Sequence, residues 1–244
     1  MSTGPNSVAL DGELAPLEAR IEGPPGLAAF DADGTLWHGD VGEALLLRLI
    51  REKRLLSPPA GDVFAEYARR VEIDPRDGFA FAARLMAGLP LSLVRALSER
   101  VFEEEFDRAL FPKVERILRR LLARGWEVFV VSASNRWSVE PGARRLGLPL
   151  ERIVGVELDV EDGLLGSKPL QVPTLEGKPD LLRARAGRDP DLAFGNSMLD
   201  APLLSRAKLS VAVLPVGGET MLGREAARRG WLRLFVERPV GGRP

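Results

Sequence analysis

Two aspartates placed directly after a short apolar run are the feature that most constrains this 244-residue chain. The run Leu27–Phe30 consists of small and apolar residues, and the next five residues read Asp-Ala-Asp-Gly-Thr. This pattern is typical of a buried strand that delivers acids to the carboxyl edge of a sheet, where open α/β sheets bind their ligands. Taken alone, the pair Asp31 and Asp33 is equally consistent with an ordinary Asp-Gly turn.

Further apolar segments alternate with helical patterns along the rest of the chain. Strand-like runs occur near 128–131, 153–156, 191–194, 209–214 and 232–236, and residues 156–165 suggest a hairpin. Between most of these runs the apolar residues recur at three-to-four spacing, which indicates helices. The alternation predicts an α/β fold, a Rossmann-like doubly wound parallel sheet.

The first and second strands are separated by a long helical segment. Residues 41–107 contain several amphipathic stretches and no convincing strand, so we expect a helical cap inserted after the first strand. The core would then comprise 26–40 and 108–244. Residues 1–25 are rich in proline and glycine and predict a loose N-terminal arm, with a short helix from Ala15 to Ile21.

The composition excludes several classes of function. The chain has no cysteine and one histidine, His38, so thiolate chemistry and multi-histidine metal sites are excluded. The formal net charge of -1 gives no reason to expect nucleic acid or a membrane surface as a partner. The N-terminus lacks the basic start and apolar run of a signal peptide. We expect a cytoplasmic protein, and the sequence does not predict its oligomeric state.

Polar residues also follow the later strands. Ser132 comes after the second strand, Asn196 after the strand at 191–194, and Asp200 one helical turn later. Lys178 stands just before a predicted helix, although Lys168 occupies a similar Lys-Pro pair. Taken individually, Ser132 is better explained as a helix cap, Asn196 also fits a capped helix start, and a lone lysine is usually solvated. Together, the oxygens of Asp31 and Asn196 suit Mg²⁺, a hard cation.

Taken in chain order, these segments resemble the four motifs of the haloacid dehalogenase superfamily. The motifs are Asp31 to Thr35, Ser132, Lys178 and the segment Gly195-Asn196-Ser197 with Asp200. The likeness extends from about residue 27 to 216, and the helical insert is similar to the cap of the phosphoserine phosphatase-like branch. The glycine before Lys178 is also typical of that branch, which favours Lys178 over Lys168.

The resemblance implies a Mg²⁺-dependent phosphomonoesterase that acts on a small phosphorylated metabolite. It implies that Asp31 attacks phosphorus and that Asp33 first protonates the leaving oxygen and then activates water. Mg²⁺ would be held by Asp31, the backbone carbonyl of Asp33 and Asn196. The remaining roles implied are phosphate binding by Thr35, Ser132 and Lys178, and support of Lys178 or of metal-bound water by Asp200.

Two departures from the family pattern concern the metal and the substrate. Asn196 stands where that branch usually has aspartate, and a neutral ligand should weaken Mg²⁺ binding. The branch uses a cap acid and a cap arginine to hold phosphoserine. Asp40, or less favourably Glu43, fits the acid, but the arginine is replaced by an apolar stretch in which Arg84 is a displaced substitute. Trp37, Phe81 and His38 could instead shape a pocket for another phosphomonoester.

Three alternatives to a phosphatase stay open at this point. A dehalogenase is disfavoured, because carbon–halogen cleavage needs the first aspartate but no proton donor such as Asp33. A phosphotransferase or mutase would use the same aspartyl-phosphate with an alcohol in place of water. A catalytically silent binding or regulatory protein would keep the fold without the chemistry.

Overall fold

A seven-stranded sheet forms the centre of the molecule. The computed structural model of the chain describes residues 14–239. In these residues the strands are β1 Leu27–Phe30, β2 Glu127–Asn135, β3 Ile153–Glu161, β4 Leu164–Gln171, β5 Leu192–Gly195, β6 Leu209–Pro215 and β7 Leu232–Val236. Their order is β4-β3-β2-β1-β5-β6-β7, and all neighbouring pairs are parallel except the β3–β4 hairpin. The predicted α/β class is confirmed.

Helices cover both faces of this sheet. They are α1 Ala15–Glu22, α2 Val41–Arg51, α3 Val63–Ile73, α4 Pro75–Arg84, α5 Leu91–Val101, α6 Pro112–Ala123, α7 Arg136–Arg145, α8 Gly177–Ala186, α9 Ala201–Arg206 and α10 Met221–Arg229. A π-helical turn at Phe102–Phe106 extends α5, and 3₁₀ turns lie at Leu150–Arg152 and Met198–Asp200. None of the helices within residues 14–239 is long and apolar enough to cross a membrane.

The central strand β1 is buried on both faces, as its apolar composition requires. Phe30 stacks on Phe194 of β5 with ring centroids 4.2 Å apart, on the face that also carries α1, α6 and α7. Leu27 and Ala29 point to the opposite face, among residues of α8, α9 and α10. The chain therefore fixes β1 rigidly, together with the acids that follow it.

The strand order reverses direction at β1. From β1 the chain proceeds outward through β2 and β3, whereas β5, β6 and β7 lie on the other side. The loops that leave β1 and β5 at their carboxyl ends diverge, and such a switch point opens a crevice at the sheet edge. Asp31 follows β1 in this crevice, and its backbone N–H donates to the carbonyl of Phe194 at 2.9 Å.

The segment between β1 and β2 is helical up to the start of α6, in agreement with the sequence pattern. Helices α2, α3 and α4 begin at the aspartates Asp40, Asp62 and Asp74, whose carboxylates accept from N–H groups of the first turn. The loop after α4 pairs with the β3–β4 hairpin, because Gly88 N–H donates to Leu165 and Leu165 N–H donates to Leu89. The helical segment is thus attached to the sheet at both the α2 start and the hairpin.

Two segments refine the sequence-based description. The predicted helix from Ala15 to Ile21 is confirmed as α1, but it is not part of a loose arm, because Leu17 and Ile21 are completely buried in the core. Residues 1–13 of the predicted arm lie outside the described residues. Strand β2 continues to Asn135, so Ser132 lies within the strand and not after it.

Candidate active site

A cavity of about 200 Å³ lies at the carboxyl edge of the sheet, over the ends of β1, β2 and β5. It brings together seven of the residues that the sequence singled out, namely Asp31, Asp33, Asp40, Ser132, Lys178, Asn196 and Asp200. Its remaining walls include Phe79 and Ser134. Phe79 belongs to α4, so the helical segment forms part of the cavity wall.

Lys178 lies between two carboxylates. Its ammonium nitrogen is 2.6 Å from Asp31 Oδ1 and 2.5 Å from Asp200 Oδ1. The side chain is 2% exposed, so it is a buried cation and not a solvated one. Burial acts to lower the pKa of Lys178, but the charges of Asp200 and Asp31 prevail and raise it. The lysine therefore carries its charge between the two carboxyl groups.

Asp200 holds both Lys178 and the loop after β5. Its Oδ2 accepts from the backbone N–H groups of Asn196 and Ser197, each at 3.0 Å, and from the Ser197 hydroxyl at 3.1 Å. The bond from the Ser197 N–H is one half of a capping box for the 3₁₀ turn Met198–Asp200, and the Ser197 side chain supplies the other half by accepting from a backbone N–H of the turn. Asp200 is 1% exposed and does not face open solvent. It therefore fixes the lysine and the Asn196 backbone in one arrangement.

The environment of Asp31 resists the ionised form of its carboxyl group. Burial raises the pKa of Asp31 to about 7, and the nearby charge of Asp200 adds to that rise, while Lys178 opposes it. The Thr35 hydroxyl donates to Asp31 Oδ2 at 3.0 Å. One oxygen of Asp31 thus contacts the lysine and the other faces Thr35 and Asn196.

Three oxygen-bearing groups converge beside Asp31 Oδ2. One terminal atom of the Asn196 amide lies 3.0 Å from the backbone carbonyl oxygen of Asp33 and 3.1 Å from Asp31 Oδ2. With the amide nitrogen at that position, Asn196 donates to both oxygens. With the amide oxygen there, the position presents three acceptor oxygens to one point.

Gly34 makes this approach possible. A Cβ atom at this position would lie 2.1 Å from Asn196 Nδ2, and the backbone has φ +74°. Both the left-handed conformation and the close approach therefore require glycine. Within residues 14–239, no group of three or more His, Cys, Asp or Glu side chains is arranged to hold a metal. The donor set here is instead one carboxylate, one backbone carbonyl and one amide.

The carboxyl group of Asp33 has different partners on its two oxygens. Oδ1 accepts from the indole Nε1 of Trp37 and from the backbone N–H of Val41, both at 2.8 Å. Oδ2 accepts from the Ser134 hydroxyl at 2.7 Å and lies 3.4 Å from the Ser132 hydroxyl. Burial raises the pKa of Asp33 to about 7, and the charge of Asp40 contributes to that rise. The group is therefore suited to exchanging a proton near neutral pH.

A second, narrower space of about 20 Å³ adjoins the cavity and shares Asp40, Phe79 and Ser134 with it. Its other walls are mainly aliphatic side chains of α2 and α4, and Tyr67 closes it. Burial raises the pKa of Asp40 to about 6, and the charge of Glu43 adds to this rise. Tyr67 hydrogen-bonds to Glu43. The space beyond the strand ends is therefore small, and its walls are mainly aliphatic but carry the acid Asp40.

The structure does not bring every predicted residue to the cavity. Thr35 is fully buried, and its hydroxyl is engaged by Asp31 and Asn196, so its position does not support phosphate binding. Arg84 pairs with Asp77 at 3.1 Å on the outer side of α4. Phe81 lies beneath the guanidinium of Arg70 at 4.4 Å. Neither Arg84 nor Phe81 lines the cavity.

Trp37 and His38 do not line the cavity either. Trp37 is completely buried and contacts Asp33 instead of the cavity. His38 lies near Phe111, and burial lowers its pKa.

Sequence reasoning missed Ser134, Phe79 and Tyr67. A signal was present for Ser134, since it stands two residues after Ser132 and therefore on the same face of β2.

Comparison with known proteins shows the family to which the chain belongs. Residues 28–205 match the family model of haloacid dehalogenase-like hydrolases, so the chain belongs to that family. It is 29% identical over 201 residues to a phosphoserine phosphatase of Halobacterium salinarum, covering 79% of this chain and 87% of that protein. It is 28% identical over 192 residues to the phosphoserine phosphatase SerB2 of Mycobacterium tuberculosis, covering 76% of this chain but only 43% of that protein.

A solved structure shows the same fold. The crystal structure of a protein of unknown function from Bordetella pertussis superposes with a TM-score of 0.71 at 21% identity. The match covers 87% of this chain and 99% of that protein. This likeness therefore extends over most of the architecture.

Proposed function

We propose that this hydrolase is a Mg²⁺-dependent phosphomonoesterase that cleaves a small phosphorylated metabolite through an aspartyl-phosphate on Asp31. The observation that carries the proposal is the arrangement of Asp31, Lys178 and Asp200 beside an oxygen cluster at one sheet edge. The similarity to two phosphoserine phosphatases supports the same reaction class. Residues 41–107 would act as the cap of this site, since Phe79 of α4 forms part of its wall.

The oxygen cluster fits a magnesium ion. Ligands at neighbouring corners of an octahedron with bonds of about 2.1 Å are about 3 Å apart. The amide position of Asn196 is 3.0 Å from the Asp33 carbonyl oxygen and 3.1 Å from Asp31 Oδ2. Asp31, Asp33 and Asn196 would therefore hold the ion, with the amide oxygen turned inward. The bound ion would supply positive charge that favours the ionised form of Asp31 and offsets the charge of the phosphoryl group.

In the proposed reaction each of these side chains has one role. A carboxylate oxygen of Asp31 attacks phosphorus, and the bond from phosphorus to the leaving oxygen breaks. Asp33 gives its proton to that leaving oxygen. Asp33 then takes a proton from a water molecule that attacks phosphorus, which releases phosphate and restores Asp31. Lys178 offsets negative charge on the nucleophile and the phosphoryl oxygens throughout.

The cavity wall beyond the phosphoryl site disfavours an anionic leaving group. Asp40 lines both spaces, and Glu43 lies close enough to raise the pKa of Asp40. Among the described residues that line these spaces, Lys178 is the one cationic side chain, and it is engaged by two carboxylates. A substrate carboxylate would be placed near acids without a partner. We therefore propose a small leaving group that is neutral or carries an amine.

The test is hydrolysis of p-nitrophenyl phosphate by purified protein with Mg²⁺ and after EDTA treatment. The variant Asp31→Asn should reduce the rate to background, and no phosphorylated protein should be captured by acid quench. Asp180→Asn is the matched control, because Asp180 is an exposed aspartate on α8 and should leave the rate unchanged. Hydrolysis that survives in Asp31→Asn, or that is indifferent to EDTA, would contradict the proposal.

A further inference from the structure

The hydrogen bonds of Asp33 distinguish its two carboxyl oxygens. Oδ1 faces two N–H groups, the Trp37 indole and the Val41 backbone, each at 2.8 Å. An N–H group can only donate, so neither partner can accept a proton from Oδ1. Oδ2 faces the hydroxyls of Ser134 and Ser132, which can donate or accept. A proton on the carboxyl group of Asp33 is therefore compatible with Oδ2 and not with Oδ1.

Trp37 is held so that its indole cannot turn away. The side chain is completely buried and meets the ring of Phe102 edge-on, with centroids 5.5 Å apart. On its other side it rests against helix α7, where a Cβ atom at Gly142 would lie 2.5 Å from Trp37 Cζ3. Its backbone carbonyl also accepts from the Gly34 N–H at 2.8 Å. The N–H is therefore a fixed donor.

We infer that Trp37 is a positioning residue that keeps the transferable proton of Asp33 on Oδ2, the oxygen that faces the serine hydroxyls of β2. This inference rests on the proposed phosphatase reaction. During the first step the proton leaves Oδ2 for the leaving oxygen as the bond to phosphorus breaks. The negative charge that remains on Asp33 is stabilised by the indole and the Val41 N–H. In the second step Oδ2 accepts a proton from the attacking water.

The experiment compares two aryl esters of similar shape with Trp37→Phe, which keeps an aromatic ring but removes the N–H. p-Nitrophenyl phosphate has a weakly basic leaving oxygen that departs without a proton, whereas the leaving oxygen of phenyl phosphate is more basic and needs one. The constant kcat/KM reports steps up to departure of the leaving group. In Trp37→Phe we expect kcat/KM to fall about 10- to 100-fold for phenyl phosphate and less than about threefold for p-nitrophenyl phosphate.

Trp126→Phe is the matched control. Trp126 is also buried, but its indole N–H has no hydrogen-bond partner within the described residues. This variant should leave the ratio of the two kcat/KM values unchanged, even if its stability falls. A second variant, Gly142→Ala, keeps the indole but forces it to shift. It should lower the ratio of kcat/KM for phenyl phosphate to kcat/KM for p-nitrophenyl phosphate. It provides the measurement if Trp37→Phe does not fold.

Failure of the positioning role and failure of the proposed function give different results. Equal losses on both esters in Trp37→Phe, or no loss on either, would overturn the positioning role while leaving the proposed function intact. An unchanged ratio in folded Gly142→Ala would also overturn it. Wild-type protein that hydrolyses neither ester with Mg²⁺ would overturn the proposed function itself, and this inference with it.

Discussion

Replacing Asn196 by aspartate should destabilise the metal-free protein by an amount that depends on pH. An aspartate in the same position places a carboxylate oxygen 3.1 Å from Asp31 Oδ2 and 3.0 Å from the Asp33 carbonyl oxygen, and removes the amide that can donate to both. At an effective dielectric constant of about 20, two unit charges 3.1 Å apart repel by about 5 kcal/mol. The residue in the native chain avoids this repulsion because it is neutral.

Protonation of one of the two carboxyl groups limits the loss of stability. The pair of carboxyl groups can escape repulsion by taking up one proton, and because the pKa of Asp31 is already raised to about 7, protonating Asp31 costs about 1 kcal/mol at pH 7.5 and nothing at pH 5. The added charge raises the folded pKa of Asp31 further above its unfolded value, so the destabilisation grows as pH rises above about 7. With about 2–4 °C per kcal/mol, the melting temperature should fall by about 2–4 °C at pH 7.5 and by less at pH 5.

The assay is thermal unfolding of Asn196→Asp and wild-type protein in EDTA at the two pH values, repeated with Mg²⁺. Because the ion binds the folded state, it should recover more stability in the variant, which offers two carboxylates, than in the wild type. Asn135→Asp is the control, since Asn135 caps α7 and an aspartate is equally suited to that position. Equal melting temperatures of Asn196→Asp and wild type in EDTA, or a deficit that does not depend on pH, would refute the reasoning.

Two further outcomes follow from the site. Lys178→Met should lower stability by about 3–5 kcal/mol in urea unfolding, because it leaves Asp31 and Asp200 buried without their cation. The control Lys168→Met removes an exposed lysine and should change stability by less than about 0.5 kcal/mol. In a substrate screen, kcat/KM for phosphoethanolamine should exceed that for phosphoserine by at least about tenfold, because Asp40 disfavours a carboxylate in its neighbourhood. A preference for phosphoserine would contradict the assignment of the acidic wall.

Residues borne by strands could be placed from the sequence because a parallel sheet brings all strand ends to one edge. Asp31, Ser132 and Asn196 are far apart in the chain, yet each is fixed by the apolar run that precedes it, and all three line the cavity. The choice between two Lys-Pro pairs came from the resemblance to the family and not from the physical pattern of the local sequence. The structure shows the physical difference, because Lys178 lies buried in the first turn of α8, whereas Lys168 is exposed on β4.

The helical segment shows why the cavity wall could not be predicted in the same way. Residues two apart on a helix point in different directions, so Phe79 and Phe81 of α4 cannot both face the cavity. The structure directs Phe79 inward, while Phe81 packs under Arg70. The rotation of α4 about its axis is set by the burial of Ala80 and Ala83 against neighbouring elements. The local sequence pattern does not encode which side of α4 these elements cover. Arg84 consequently points to Asp77 and away from the site.

The start of α2 links the helical segment to the chemistry of Asp33. Val41 is the first residue of α2, and its N–H is one of the two donors to Asp33 Oδ1. Asp40 caps the same helix and lies 3.4 Å from the Ser134 hydroxyl, the partner of Asp33 Oδ2. A displacement of this helix start would therefore change the partners of both oxygens of Asp33 at once. Trp37 precedes this point and is completely buried, so one of the two donors to Oδ1 is anchored in the core and does not depend on the position of α2.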